Sequence, residues 1–167
     1  MHITVTPTTE LEAVNALLDG IGESPVITLE DLEFEDASRA LAYLRDASKA
    51  TQLEGWSWNT EFAYSLYPDT AGNVYVPENA LKTIFVNNPR YTVRGRKVYD
   101  PEGHTDVFAD AISVNLIVGL PFEDLPEAAR RCGTAVSKQH FEGNTENDEL
   151  ANKAATKAAL EEGIVPG

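Results

Sequence analysis

Trp56-Ser57-Trp58-Asn59-Thr60-Glu61-Phe62-Ala63-Tyr64-Ser65-Leu66 is where the chain changes period. Trp56, Trp58, Phe62, Tyr64 and Leu66 alternate with smaller or polar residues, the period of two that a half-buried strand shows. Before this stretch, apolar residues recur at helical spacing. After it the β pattern continues. Pro68-Asp69-Thr70-Ala71-Gly72 is turn chemistry, and Val74-Tyr75-Val76 reads as the return strand. Further β signal lies at 81–86 and 91–100, where Gly95 between Arg94 and Arg96 marks a hairpin apex. Asp100-Pro101-Glu102-Gly103 is another turn. The most hydrophobic run, 111–118, reads as a strand or a buried helix segment, which periodicity does not distinguish.

Helical signals flank this region. Thr9 and Glu12 fit a capping box ahead of Leu11, Val14, Leu17, Leu18 and Ile21, and Gly20 and Gly22 stop a helix over about 9–20. Residues 23–35 form an acidic connector holding Pro25, Val26 and Ile27. A second helix is predicted over about 36–54, capped by Asp36, lined by Ala40, Leu41, Leu44, Ala47 and Thr51, and ended by Gly55. A third, over about 125–141, has Pro126 in its first turn, Asp124 as its cap and Gly143 as its break. A fourth is expected over about 146–162, opened by Thr145 and Asp148 and carrying a ridge of Ala151, Ala154, Ala155 and Ala158. The fold class is therefore α+β, mainly α. A helical bundle of about four helices carries an inserted small antiparallel β subdomain over about 56–118, and residues 1–167 form a single domain.

A chain of 167 residues suits one domain with a sizeable core. No stretch approaches the ~18 consecutive apolar residues of a membrane span, and no secretory signal is visible. The single Cys132 excludes an internal disulfide and a cysteine-cluster metal site, and fits synthesis in a reducing compartment. Asp+Glu number 27 against 13 Lys+Arg, a formal charge of −14 that argues against broad adhesion to nucleic acid. The charges are also sorted. Residues 1–38 carry nine acids and no Lys or Arg, whereas 79–99 carry Lys82, Arg90, Arg94, Arg96 and Lys97 and no acid. Two readings stand: solvated faces, or opposite patches suited to head-to-tail association.

Catalytic signatures are sparse. His2, His104 and His140 have no partner at metal-ligand spacing, and there is no HExxH, phosphate loop or GxSxG elbow. Gly20-Ile21-Gly22 ends a helix and so reads as a C-terminal cap. Cys132 lies near Arg130 and Arg131, which would lower a thiol pKa, but its spacing with Ala128, Ala129 and Val136 reads as a small core residue. No catalytic residue, metal site or cofactor is assigned. Among the many carboxylates, Glu54, Glu61 and Asp69 flank the aromatic stretch and are the candidates for a glycosidase-like pair, a polysaccharide hydrolase being the alternative function. Trp56 and Trp58 read either as an interface or sugar-stacking pair or as a core contact. Arg94, Arg96 and Lys97 form a short basic tip that touches nucleic acid, an acidic neighbour or only water. These five residues are the candidate interface.

Several segments together resemble the tail tubular protein A family of short-tailed phages. They are 11–15 with 21–26, Glu54-Gly55-Trp56-Ser57-Trp58-Asn59-Thr60, Val76-Pro77-Glu78-Asn79-Ala80-Leu81, 91–100, and Leu120-Pro121-Phe122-Glu123-Asp124-Leu125-Pro126-Glu127-Ala128. They run in order over nearly the whole chain; relatives continue beyond the point where this sequence stops. The resemblance implies a virion structural protein without enzymatic activity, made in the bacterial host cytoplasm and carried in the tail. It implies a dodecameric ring below the portal and above the nozzle, tail tubular protein B. It also implies that phage DNA passes through the lumen without specific binding and that no membrane is involved. An acidic wall suits such a conduit because it repels phosphate.

Overall fold

The computed structural model describes residues 4–30 and 32–145. Contacts divide the chain into two compact units, one formed by residues 1–54 and 121–167 and the other by 55–120.

In the first unit, α1 is Glu10–Gly20. The Thr9 hydroxyl accepts a hydrogen bond from the Glu12 amide at 3.1 Å, satisfying one of the orphan donors of the first turn. Ala13, Val14, Leu17 and Leu18 fall on one face at helical spacing and are buried. The helix closes through Gly22 N–H to Asp19 O and Glu23 N–H to Leu18 O, each 3.0 Å. The connector is pinned early: the Asn15 side chain donates to Val26 O at 3.0 Å and accepts from Val26 N–H at 2.8 Å.

Helix α2 spans Glu35–Leu53 and α3 spans Glu127–Thr145. Asp36 is not the cap of α2. Phe34 holds that position and offers no acceptor, while Asp36 lies in the first turn and pairs with Arg39 at 3.3 Å. Glu35 and Asp36 nevertheless stand where the helix dipole favours negative charge. Asp124 does not cap α3 either. It belongs to a single 3₁₀ turn, Phe122–Asp124, and the Pro126 carbonyl accepts from Ala129 and Arg130, so the helix begins three residues beyond it, at Glu127. Ala37, Ala40 and Leu44 of α2 join the buried face of α1, and Phe141 of α3 is fully buried with its ring edge-on to Tyr43 at 5.6 Å.

The expected bundle of about four helices is corrected here. Three helices, α1 to α3, pack pairwise among the described residues. Gly143 does not break the third, which continues to Thr145. A glycine inside a helix costs only about 1 kcal/mol, and the packed face C-terminal to Cys132 outweighs that. The expected fourth helix at 146–162, with its alanine ridge, lies outside the described residues. The α+β class holds.

Arg130 ties the first unit together. Its guanidinium donates to Leu125 O at 2.8 Å, to Thr8 O at 2.7 Å and to Glu123 O, and the residue is 8% exposed. Beside it, the Glu127 carboxylate accepts from the Thr8 hydroxyl at 2.5 Å and the Thr8 amide at 2.8 Å. Those two bonds hold the Glu127 carboxyl below its ordinary range. A lowered carboxyl pKa means the ionised form favours folding. The contribution is present above the ordinary carboxylate value and disappears as pH falls through the lowered one. Asp100, in the other unit, acts in the same sense through the Gly103 and Glu102 amides and Arg90. Denaturant unfolding should therefore show stability falling from about pH 5 downward, and Glu127→Gln and Asp100→Asn should each flatten part of that slope.

The second unit holds a three-stranded antiparallel sheet in the order β1-β5-β2, with β1 at Thr60–Leu66, β2 at Ala80–Ile84 and β5 at Ile112–Val118. A separate hairpin joins β3, Thr92–Arg94, to β4, Lys97–Tyr99. Run 111–118 is thus a strand. It takes the central place because Ile112, Val114, Leu116, Ile117 and Val118 are all buried, which suits a strand covered on both faces. Val74-Tyr75-Val76 does not return beside β1. It lies along β4 instead, with Val98 N–H donating to Val74 O and Val76 N–H to Arg96 O, each 2.9 Å. The core comprises Leu66, Val74, Val76, Phe85, Val98 and the inner residues of β5.

The opening stretch is only partly strand. Residues 57–59 form a 3₁₀ turn held by buried Asn59, whose side chain accepts from Trp56 N–H at 2.8 Å and donates to Val118 O at 3.1 Å. The alternation is then interrupted by a register shift between Glu61 and Tyr64, where Ala63 has φ 52° and donates to Asn115 Oδ1. Phe62 is left 68% exposed while Leu66 is 3% exposed. Gly95, with φ 62°, is the hairpin apex, as the two-residue turn between Arg94 and Lys97 demands. Gly55 has φ 83°, and a Cβ there would stand 2.6 Å from Ile117 Cδ1. Gly55→Ala is expected to cost about 1–3 kcal/mol, measured as a shifted denaturant midpoint in tryptophan fluorescence.

Candidate interaction surfaces

The groups able to do covalent or metal chemistry are dispersed. Burial pushes the Cys132 thiol up, the direction opposite to activation. His104 sits exposed in a turn at φ 51°, His140 lies within α3, and His2 is outside the described residues. Among the described residues no cluster of three His, Cys, Asp or Glu is placed to hold a metal ion. Gly20-Ile21-Gly22 closes α1, so its amides serve the helix end. Of the candidate carboxylates, Glu54 is the cap residue after α2, and Glu61 is exposed on edge strand β1. Asp69 is taken up by its own turn, accepting from Ala71 N–H at 2.9 Å and Asn73 N–H at 3.0 Å. Among the described residues no helix is long and apolar enough to cross a membrane.

Trp56 and Trp58 do come together. Their rings stack at 6.2 Å and 7°, both half-buried, because a 3₁₀ turn rather than a strand carries them. The basic tip is largely neutralised within its own unit. Arg96 meets Glu78 at 3.5 Å, Lys97 meets Asp106 at 3.6 Å, and Arg90 meets Asp100 at 3.4 Å and Glu102 at 3.2 Å. Arg94 lies 3.8 Å over the Tyr99 ring. The sequence window that looks purely basic is thus matched by acids just outside it. Residues 55–120 hold seven Asp+Glu against five Lys+Arg, so twelve of the fourteen net negative charges fall on 1–54 and 121–167.

Among the described residues each unit has a concave surface. In the first, Leu18, residues 23–28, Glu30 and residues 32–37 enclose about 530 Å³, with Pro25, Val26, Leu32 and Phe34 among the walls and Glu23, Glu30, Glu33 and Glu35 around them. In the second, a groove of about 350 Å³ lies between β2 and the β3–β4 hairpin, lined by Leu81, Lys82, Phe85, Tyr91, Val93 and Arg96 among others. Sequence reasoning did not find this groove. Its residues are spread over 76–96, and only the placing of the hairpin beside β2 unites them. Large apolar side chains stand in water on both units: Ile27 at 94%, Phe34 at 71% and Tyr67 at 75% exposed.

The described residues thus form an α+β chain with grooves, sorted charge and exposed apolar side chains. A model of the tail tubular protein family matches residues 11–159, and the chain belongs to that family. It is similar to tail tubular protein A of Klebsiella phage KP34, 30% identical over 122 residues that cover 72% of this chain and 64% of that protein. The chain therefore spans less than two thirds of that relative's length. It is a structural protein of the phage virion tail.

Proposed function

We propose that this chain is the repeating subunit of an adaptor ring that joins the portal to the tail nozzle and lines part of the DNA ejection path. The family match over residues 11–159 carries this reading. Twelve copies close the ring, portal docks above, and the nozzle, tail tubular protein B, docks below. The protein is made in the host cytoplasm as one domain, is carried in the virion tail, and acts by assembly without turning over a substrate. A heterologous interface repeated around an axis closes into a ring when the rotation permits. Trp56, Trp58, Arg94, Arg96 and Lys97 contribute to its contacts.

The charge distribution supports the conduit role. With twelve net negative charges on residues 1–54 and 121–167, a ring that turns this part toward its lumen repels phosphate along the whole wall. DNA then meets few sites that hold it. The protein mixed with portal should sediment as a complex larger than portal alone, and fluorescence anisotropy should show no uptake of duplex DNA at low salt. A chain that stays monomeric beside portal, or that binds duplex tightly, contradicts the proposal.

A further inference from the structure

We propose that the groove between β2 and the β3–β4 hairpin is one half of the subunit contact, and that it receives Glu30, Glu33, Phe34 and Glu35 of a second copy. The inference rests on the ring reading and names the surfaces that would close it. Three observations carry it. Strand β2 pairs only with β5 and β3 only with β4 among the described residues, so the groove runs between strands that each have one side without a ladder partner. Lys82 lies in the groove, exposed and without an ion pair among the described residues, and Arg96 donates to Val76 O at 3.1 Å and pairs with Glu78 at 3.5 Å, the two side chains of that pair being 52% and 87% exposed. Such a pair contributes little and exchanges readily for another carboxylate.

The complementary feature is on the other unit. Residues 1–38 contain no Lys or Arg, and Arg39, the first base in the sequence, pairs with Asp36, so Glu30, Glu33 and Glu35 make no ion pair among the described residues. Phe34 stands 71% exposed at the start of α2, where it caps nothing. An exposed aromatic set among carboxylates matches a groove with apolar walls, Leu81, Tyr91 and Val93, and cationic edges, Lys82 and Arg96. Because donor and acceptor surfaces differ, each copy has one of each to offer, and the contact is head-to-tail.

The test is reciprocal charge reversal, read by mass photometry of the full chain with portal and checked for folding by circular dichroism. Lys82→Glu with Arg96→Glu should abolish assembly, as should Glu30→Lys with Glu33→Lys. The four changes in one chain should restore it. Phe34→Ala, a surface change that leaves the helices intact, should weaken assembly at least tenfold. Undiminished assembly by the reversed variants overturns the contact and leaves the ring reading standing. So does a loss that the reciprocal change does not repair, accompanied by lost binding to portal or nozzle. If the wild-type chain never exceeds one copy, alone or with portal, the ring reading falls and the contact with it.

Discussion

Replacing Arg130 with Met should lower the stability of the helical unit by about 3–5 kcal/mol, the largest loss expected from any single polar substitution in this chain. The stem of the side chain is kept by Met, so the effect isolates the guanidinium. That group serves three carbonyls, of Leu125, Thr8 and Glu123, from a position only 8% exposed. Each carbonyl left without a donor costs about 1–3 kcal/mol when water does not reach it. The Thr8 contact also docks the segment before α1 on the start of α3, so its loss should loosen the Thr8–Glu127 bonds too. Helical circular dichroism should show the melting temperature falling by roughly 10 °C or more. Arg130→Lys should recover part of the loss, because an ammonium reaches fewer of the three acceptors. A Met variant within 1 kcal/mol of wild type would show that the carbonyls are solvated and that Arg130 does not organise the unit.

Leu116→Ala should cost about 3–4 kcal/mol in the β unit. Leu116 is fully buried in the middle of β5, opposite Glu61 of β1 and Thr83 of β2, and it belongs to the core with Val114 and Val118. Three strands cannot close over the space its side chain leaves, since β5 is held from both sides. The sequence contains two tryptophans, Trp56 and Trp58, and both lie in this unit, so their fluorescence reports its unfolding directly. The denaturant midpoint should move while the slope stays constant. A change below 1 kcal/mol would mean that this strand is not the centre of the core.

The sequence made some of this legible for definite physical reasons. Thr9 before an apolar helical face, and Gly22 after it, are local signals, and the amide bonds to Thr9, Asp19 and Leu18 are local too. The hairpin at Gly95 follows from a two-residue turn that needs a positive φ. Asp36 and Asp124 are good capping residues, but the first helical carbonyls are those of Phe34, which accepts from Ser38 N–H, and Pro126, which accepts from Ala129 and Arg130. What else failed depended on distant partners. Val74-Tyr75-Val76 has β propensity, which says nothing about whether β1 or β4 receives it. The bulge at Ala63 exposes Phe62 against its period, and no turn residue announces it.

The surfaces were legible only as ingredients. The charge runs at 1–38 and 79–99 are plain in the sequence, and the acidic one remains unneutralised over most of its length. The basic one does not stay free, because folding brings Glu78, Asp100, Glu102 and Asp106 to three of the five bases, Arg90, Arg96 and Lys97, and lays Arg94 over the Tyr99 ring. That leaves Lys82, an undistinguished residue in sequence, as the exposed unpaired base of the groove. Trp56 and Trp58 stack on each other through a 3₁₀ turn that the period-two reading did not contain.

The central claim is that copies of this chain form a ring between portal and nozzle with an acid-rich wall toward the DNA. A cryo-electron microscopy map of the assembled virion tail tests it most directly. The account predicts a closed ring of this chain seated below the portal, with carboxylates of residues 10–36 outside the subunit contact, or of the C-terminal segment, lining the lumen. A map that places the chain outside the channel, or shows the channel wall beside it to be neutral or basic, would contradict it.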